Sequence, residues 1–473
     1  MLEKIFHLKE HHTTVSREII AGCITFFAMS YILFVNPAML SETGMPFQAI
    51  FLATIIAAVV GTLIMGLFAN VPYAQAPGMG LNAFFTFTIC FGMGYSWKQA
   101  LGIVFLCGLI NLLITVTHLR KKILEAIPSV IQHAIGAGIG VFVAYVGIKN
   151  AGFLNFTSDA SSIISSKVSG GKAIEVISNG NITPSLSLFN QPAVILALIG
   201  LLLTIVLVMK KVPGAMLIGI IVTTLLAIPF GVIDVSHISW ANNSLGSAIH
   251  DLKTTFLAAF SSEGLPSLFM DWQKLPQTLM TVLAFSLSDI FDTIGSLIGT
   301  NRKSQAFTDD EEKEGYTSMD KALVADSIAT MTASVFGTSN VITYVESAAG
   351  IAAGGRTGLT AVTVAVLFAL SSFFAPLISI VPAQATAPVL IIVGIMMAGS
   401  FTEIHWDDLE EAIPAFFTAI FMGLCYSISY GIACGFIMYC FVKIAMKKAN
   451  EIKPMLWIVT ILFVLNFILQ AFL

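Results

Sequence analysis

Long apolar runs separated by short polar joints recur from one end of this chain to the other. A helix rises about 1.5 Å per residue, so a run of about 18 or more apolar residues can cross the hydrocarbon core of a bilayer. Read this way, the pattern predicts crossings at 18–40, 47–69, 77–94, 99–118, 128–148, 191–209, 213–232, 276–300, 319–336, 340–355, 357–380, 385–401, 411–428 and 429–446, fourteen in all. A further apolar stretch, 454–473, fits either a fifteenth crossing or a helix lying along the interface. A transmembrane β-barrel would alternate apolar and polar positions over segments of about ten residues. The chain has no such segments, so the pattern predicts an all-α polytopic membrane protein.

Composition sharpens the picture. Of 473 residues, 56% are hydrophobic and only 11% are charged, against roughly 25% charged in soluble domains. That excludes a water-soluble domain of this length. The six cysteines, at 23, 90, 107, 425, 434 and 440, all lie inside apolar runs, with no CxxC pair and no histidine beside them. They read as small core residues, and no metal, cofactor or nucleic-acid partner is expected.

Charge placement orients the chain. With the N-terminus inside, 17 of the 23 basic residues fall on the inner side, and those at 98, 149, 167, 172, 253 and 274 fall outside. Such a bias marks the cytoplasmic face. The polar start, "MLEKIFHLKEHHTTVSR", then reads as cytoplasmic and not as a cleavable leader, and the protein as multi-pass in the cell membrane, in contact with lipid. The polar stretches 149–190 and 233–275 face outside, and the acidic run "DDEEKE" at 309–314 faces inside as a solvated loop.

The chain also reads as duplicated, seven crossings in each half. An odd number places the second half inverted, the architecture of many secondary transporters. The third and tenth crossings carry the internal match: "NVPYAQAPGMG" at 70–80 and "NVITYVESAAG" at 340–350. With their tyrosines superposed, Gln75 falls opposite Glu346. Both stretches read as broken crossings. Pro72 and Pro77 remove donors, the glycines free the backbone, and "NVITYV" favours an extended strand. Each crossing is expected to be part strand and part short helix, tolerated at membrane depth only where protein or a cavity surrounds it. Glu346 and Asn82 are expected near the two helix starts, facing one another. Close packing of helices explains the glycines, but not an acid and an amide at these places.

Four carboxylates lie deep in predicted crossings: Asp289 and Asp292 in the eighth, Asp326 in the ninth and Glu346 in the tenth. No Lys or Arg lies comparably deep. Intramembrane acids are costly and mark pathways or proton sites. Without a basic partner, each must be protonated, hydrogen-bonded or paired with cargo. Asp289 and Asp292, spaced i, i+3, share a helix face. Glu346 and Asp292 are the leading site residues, with Asn82 and Asp289 as supporting candidates and Asp326 as a helix–helix hydrogen bond. Phe84, Phe85 and Phe291 are candidates to stack on a flat ligand, with core packing the plainer alternative. Acceptors without a cation select a ligand rich in N–H donors, or a cation, and argue against an anion.

At "AMSYILFVNP" (28–37), "QAPGMGLNAFF" (75–85), "DIFDTIGSLIGT" (289–300) and "GTSNVITYVESAAGIAAGGRTGLTA" (337–361) the sequence resembles the nucleobase–cation symporters of the nucleobase–ascorbate type. It is most similar to the branch that carries adenine, guanine and hypoxanthine. The resemblance implies two inverted repeats of seven helices. Crossings 1–4 and 8–11 would form a core, 5–7 and 12–14 a gate, with substrate at their boundary. It divides the chain into 1–148 (core crossings and the first gate crossing), 149–190 (external loop), 191–232 (gate), 233–275 (external segment), 276–380 (core), 381–447 (gate) and 448–473 (apolar segment). It implies that Asp292 and Glu346 hold the base edge, with Asn82 and Asp289 beside them. The uracil branch carries a histidine four residues after the eighth-crossing acid; here that position is Ser296.

The reading is a proton-coupled purine importer, not an enzyme, working by alternating access, with Glu346 or Asp292 carrying the proton. A homodimer is left open. The alternatives are an anion exchanger or channel on the same fold, and an intramembrane enzyme using Asp289 and Asp292 as an aspartyl pair. The shared helix of those two acids disfavours the pair, since such enzymes face their acids from separate helices.

Overall fold

The computed structural model describes residues 2–117, 127–157, 163–169, 172–178, 183–233, 245–270, 274–304, 318–375 and 380–472. Among them, eight helices are long and apolar enough to cross a membrane, and shorter apolar helices at Met79–Gly92, Ala215–Ala227, Gly358–Phe374 and Pro454–Ile468 fill further predicted places. The first crossing is two helices, Val15–Met29 and Ile32–Leu40, broken at Ser30 and Tyr31. It begins before the predicted residue 18 because the Thr14 hydroxyl accepts from the Arg17 amide at 3.4 Å and caps it.

The helices sort into two packed sets. In one, Gly358–Ser371 packs on Val15–Met29 and Phe47–Ile64, and Ser318–Phe336 packs on Trp97–Val116 and Phe47–Ile64. In the other, Ser129–Asn150 packs on Ala383–Met397 and Leu409–Leu424, while Pro192–Met209 packs on Ala215–Ala227 and Ala383–Met397. The 30-residue helix Leu275–Ser304 touches both sets, through Trp97–Val116 on one side and Ile428–Ala445 on the other.

The apolar stretch after residue 453 forms the helix Pro454–Phe472, antiparallel to Ile428–Ala445. Thr460 meets Cys440 at 3.4 Å, and the rings of Phe463 and Phe467 sit 6.1 Å from Phe436 and 5.7 Å from Tyr430. Leu456, Thr460 and Phe463 are buried along this seam, while Ile458, Ile461, Leu465 and Ile468 stay exposed. The helix thus packs along the length of Ile428–Ala445.

Six short strands occur among the described residues: β1 (Gln75–Pro77), β2 (Leu154–Thr157), β3 (Ile163–Ser169), β4 (Lys172–Ser178), β5 (Thr183–Leu186) and β6 (Val341–Thr343). The stretch 149–190, expected as a polar loop, thus carries two antiparallel pairs, β2 with β5 and β3 with β4. Its β-branched residues, Ile163, Ile164, Val168, Ile174, Val176 and Ile177, favour extended backbone. The stretch 233–275 contains the helix Leu245–Thr255, packed on Phe47–Ile64 and tied to Phe336 O by the Thr255 hydroxyl at 2.9 Å. The acidic run 309–314 lies outside the described residues.

Candidate functional site

Two broken crossings meet at the centre. The third enters as β1, passes Gly78 and becomes a five-residue helix, Met79–Ala83, that widens into π-helical turns over Phe84–Gly92. The tenth enters as β6 and becomes the short helix Ser347–Ala352. The strands pair antiparallel, Gln75 with Thr343 and Pro77 with Val341. Gly78 N–H donates to Asn340 O at 2.9 Å and Tyr344 N–H to Ala74 O at 3.0 Å, so the ladder continues past both ends. Backbone that leaves a helix at membrane depth must find such partners.

The outer edges are closed by the same device twice. On the second crossing, the Thr62 hydroxyl bridges Gln75 N–H (2.9 Å) and Gln75 O (3.0 Å). On the ninth, the Thr330 hydroxyl bridges Val341 N–H and O, both at 3.1 Å. Register and bridges together make Gln75 the counterpart of Val341, not of Glu346. The superposition on the tyrosines is therefore corrected. Two short motifs differing in spacing between strand and helix align on the wrong side chain when one residue is taken as anchor.

Asp326 holds the crossing together. Its Oδ1 accepts from Gln75 Nε2 and from the Thr293 hydroxyl, each at 2.9 Å, and Thr293 in turn accepts from Thr343 N–H at 3.3 Å. One buried carboxylate thus links the third, eighth, ninth and tenth crossings, in keeping with the expected helix–helix role.

Asp292 and Glu346 are both partly exposed, and close enough to interact electrostatically. Asp292 Oδ2 is buried with no hydrogen-bond partner. Glu346 sits at the N-cap of Ser347–Ala352 and accepts from the Tyr31 hydroxyl at 2.5 Å. That short helix is seated on the first crossing through Gly350: a Cβ there would lie 2.1 Å from Thr25 Oγ1 and 2.5 Å from Ala21 O. Among the described ion pairs, none involves Asp289, Asp292, Asp326 or Glu346.

The supporting candidates are both fully buried. Gly78 caps the third-crossing helix and Asn82 N–H donates to Gly78 O at 2.7 Å, so Asn82 lies in the first turn of the helix that runs on to Gly92. Asn82 is fully buried, its Oδ1 accepts from the Ser339 hydroxyl, and its Nδ2 has no partner. Asp289 is also fully buried and turned to the fourth crossing, accepting from Asn111 Nδ2 at 2.6 Å, while Asn111 Oδ1 accepts from the Ser286 hydroxyl. Phe84 and Phe85 are buried, and Phe84 meets Phe285 edge-on at 4.8 Å, so both belong to the packing. Only Phe291 of the three aromatics is partly exposed.

Sequence reasoning passed over Tyr31, Gln75 as a buried amide, and Glu18. Glu18 is fully buried and accepts from the amides of Arg356 (2.9 Å) and Thr357 (3.2 Å) and the hydroxyl of Thr360 (2.5 Å), capping the eleventh-crossing helix. For Glu18 and Gln75 a polar residue at the edge of an apolar run was the available signal; Tyr31, inside the run, offered none.

A multi-crossing helical fold with two strand–helix crossings meeting at an unpaired pair of acids defines a class of membrane transporter. The model of the Permease family, the xanthine/uracil permeases, matches residues 16–434, and the chain belongs to this family. It is 41% identical to the guanine/hypoxanthine permease PbuO of Bacillus subtilis over 97% of this chain and 98% of that one. It is 37% identical to the adenine permease AdeP of Escherichia coli over 99% and 96%. Among solved structures it resembles the transmembrane domain of the cyanobacterial bicarbonate transporter BicA, with a TM-score of 0.57 at 16% identity over 87% of this chain and 97% of that one. The last likeness concerns the fold alone. The protein is thus a multi-pass membrane permease and not an enzyme.

Proposed function

We propose that this permease imports purine nucleobases (adenine, guanine or hypoxanthine) across the cell membrane, coupled to protons, with its N-terminus in the cytoplasm. The observation that carries the reading is the pair Asp292 and Glu346, partly exposed acceptors with no ion-pair partner among the described residues. Such a pair suits the N–H edge of a neutral base and repels an anion. The names of the relatives over nearly the whole chain support the purine class. Asn82, with an unpartnered Nδ2, adds a donor for a ring acceptor. Asp289, bonded to Asn111, braces the helix that carries Asp292. The first packed set is the core that moves against the second, the gate. Glu346 takes up a proton on one side and releases it on the other.

The test is purine uptake into proteoliposomes with and without an imposed pH gradient. Wild type should accumulate purine only with the gradient, Glu346→Gln should not accumulate it at all, and Asp292→Asn should fall to background. Asn82→Ala should weaken purine binding about 5- to 150-fold, the equivalent of one unpaired buried group. Gradient-driven accumulation by Glu346→Gln would move the proton elsewhere, with Asp292 next in line.

A further inference from the structure

We propose that Tyr31 is a positioning residue that fixes which oxygen of Glu346 faces ligand and proton, through the hydrogen bond its hydroxyl donates to the other oxygen. This role rests on the reading of Glu346 as the coupling acid and extends it to the first crossing.

Tyr31 sits at the break between Val15–Met29 and Ile32–Leu40, where the chain turns without a regular helical bond pattern. The residue is 1% exposed. A buried phenol needs a partner for its hydroxyl, and Glu346 Oε1 is that partner at 2.5 Å. The separation is at the short end for a hydroxyl donating to a carboxylate. Tyr344 does not compete: its ring centroid lies 6.4 Å from that of Tyr31, but its hydroxyl donates to Pro77 O at 2.6 Å. The ionisable groups acting on Glu346 are therefore Tyr31 from the first crossing, Asp292 from the eighth and Tyr344 from its own.

A phenol donor favours the ionised carboxylate over the neutral acid, because a hydrogen bond to a charged acceptor is roughly twice as strong. With Oε1 committed to Tyr31, the second oxygen is the one left to take the proton and to face the base. Loss of the hydroxyl removes that preference, so the pH dependence of purine binding should shift to higher pH.

The test is binding of radiolabelled adenine, guanine and hypoxanthine to purified protein across pH, in wild type, Tyr31→Phe, Glu346→Gln and the double variant. In wild type, affinity should depend on pH. Tyr31→Phe should move that dependence to higher pH while keeping a tight-binding limit. In the Glu346→Gln background, binding should be flat in pH and Tyr31→Phe should leave it flat. A flat wild-type profile overturns the reading of Glu346, and the Tyr31 role with it. A pH-dependent wild-type profile that Tyr31→Phe leaves unmoved overturns the Tyr31 role alone. A Tyr31→Phe protein that fails to fold assigns the phenol to packing and also overturns it.

Discussion

Replacing Asp326 with leucine removes the acceptor that Gln75 Nε2 and the Thr293 hydroxyl share at 2.9 Å each. Both donors belong to fully buried residues. A buried donor left unpaired costs about 1–3 kcal/mol. Gln75 retains a longer contact to the Thr343 hydroxyl at 3.3 Å, which places its share at the low end. The expected loss for Asp326→Leu is then about 2–4 kcal/mol, read as a lower thermal midpoint of the purified protein in detergent. Asp326→Asn keeps one oxygen and nearly the same volume, so its loss should be nearer 1 kcal/mol, roughly one weakened hydrogen bond. Gradient-driven purine accumulation should survive the Asn change. The reasoning fails if Asp326→Leu is as stable as wild type. It fails in the opposite way if Asp326→Asn keeps its thermal midpoint but loses accumulation, because the ninth-crossing acid would then belong to the transport cycle.

Two further expectations follow from close approach and orientation. A Cβ on Gly80 would lie 2.2 Å from Ile139 Cγ2 on the fifth crossing, so Gly80→Ala should insert normally but lose most uptake, with partial rescue by Ile139→Ala; full uptake in the single variant would show that this contact opens freely. In a cysteine-free background, a cysteine replacing Ser185 should react with a membrane-impermeant thiol reagent only from outside, and one replacing Asp407 only from inside; the reverse pattern would invert the topology.

The crossings were legible because run length and hydrocarbon thickness set them directly, and the strand character of residues 75–77 and 341–343 because proline and β-branched residues restrict the backbone locally while the neighbouring glycines let it leave the helix. Asp326 was legible in kind, since an acid with no basic partner in an apolar run must find donors. Its donors were not, nor was Asn111 as the partner of Asp289, 178 positions away. A contact over such a separation leaves no trace in the residues flanking either end. The same limit hid Tyr31 behind a plain aromatic in an apolar run, 315 positions from Glu346. The strands of 149–190 did show in their β-branched residues, but a reading organised around helices passed over them.

The pairing of β1 with β6 bears on how the chain is made. Gln75 and Thr343 are 268 positions apart. At a synthesis rate of about 5–20 residues per second, the first strand waits about 15–50 s for the second. During that interval most of its N–H and C=O groups have no ladder partner, although Thr62 can already cover Gln75. Leaving such groups in hydrocarbon costs several kcal/mol apiece. The nascent first half must therefore shelter residues 75–77 in a hydrated or protein-lined vestibule, or insert this crossing last. Biogenesis of the permease is two-handed: neither half of the polypeptide can finish its own central segment, and an insertion machinery that releases the first half early would release it incomplete.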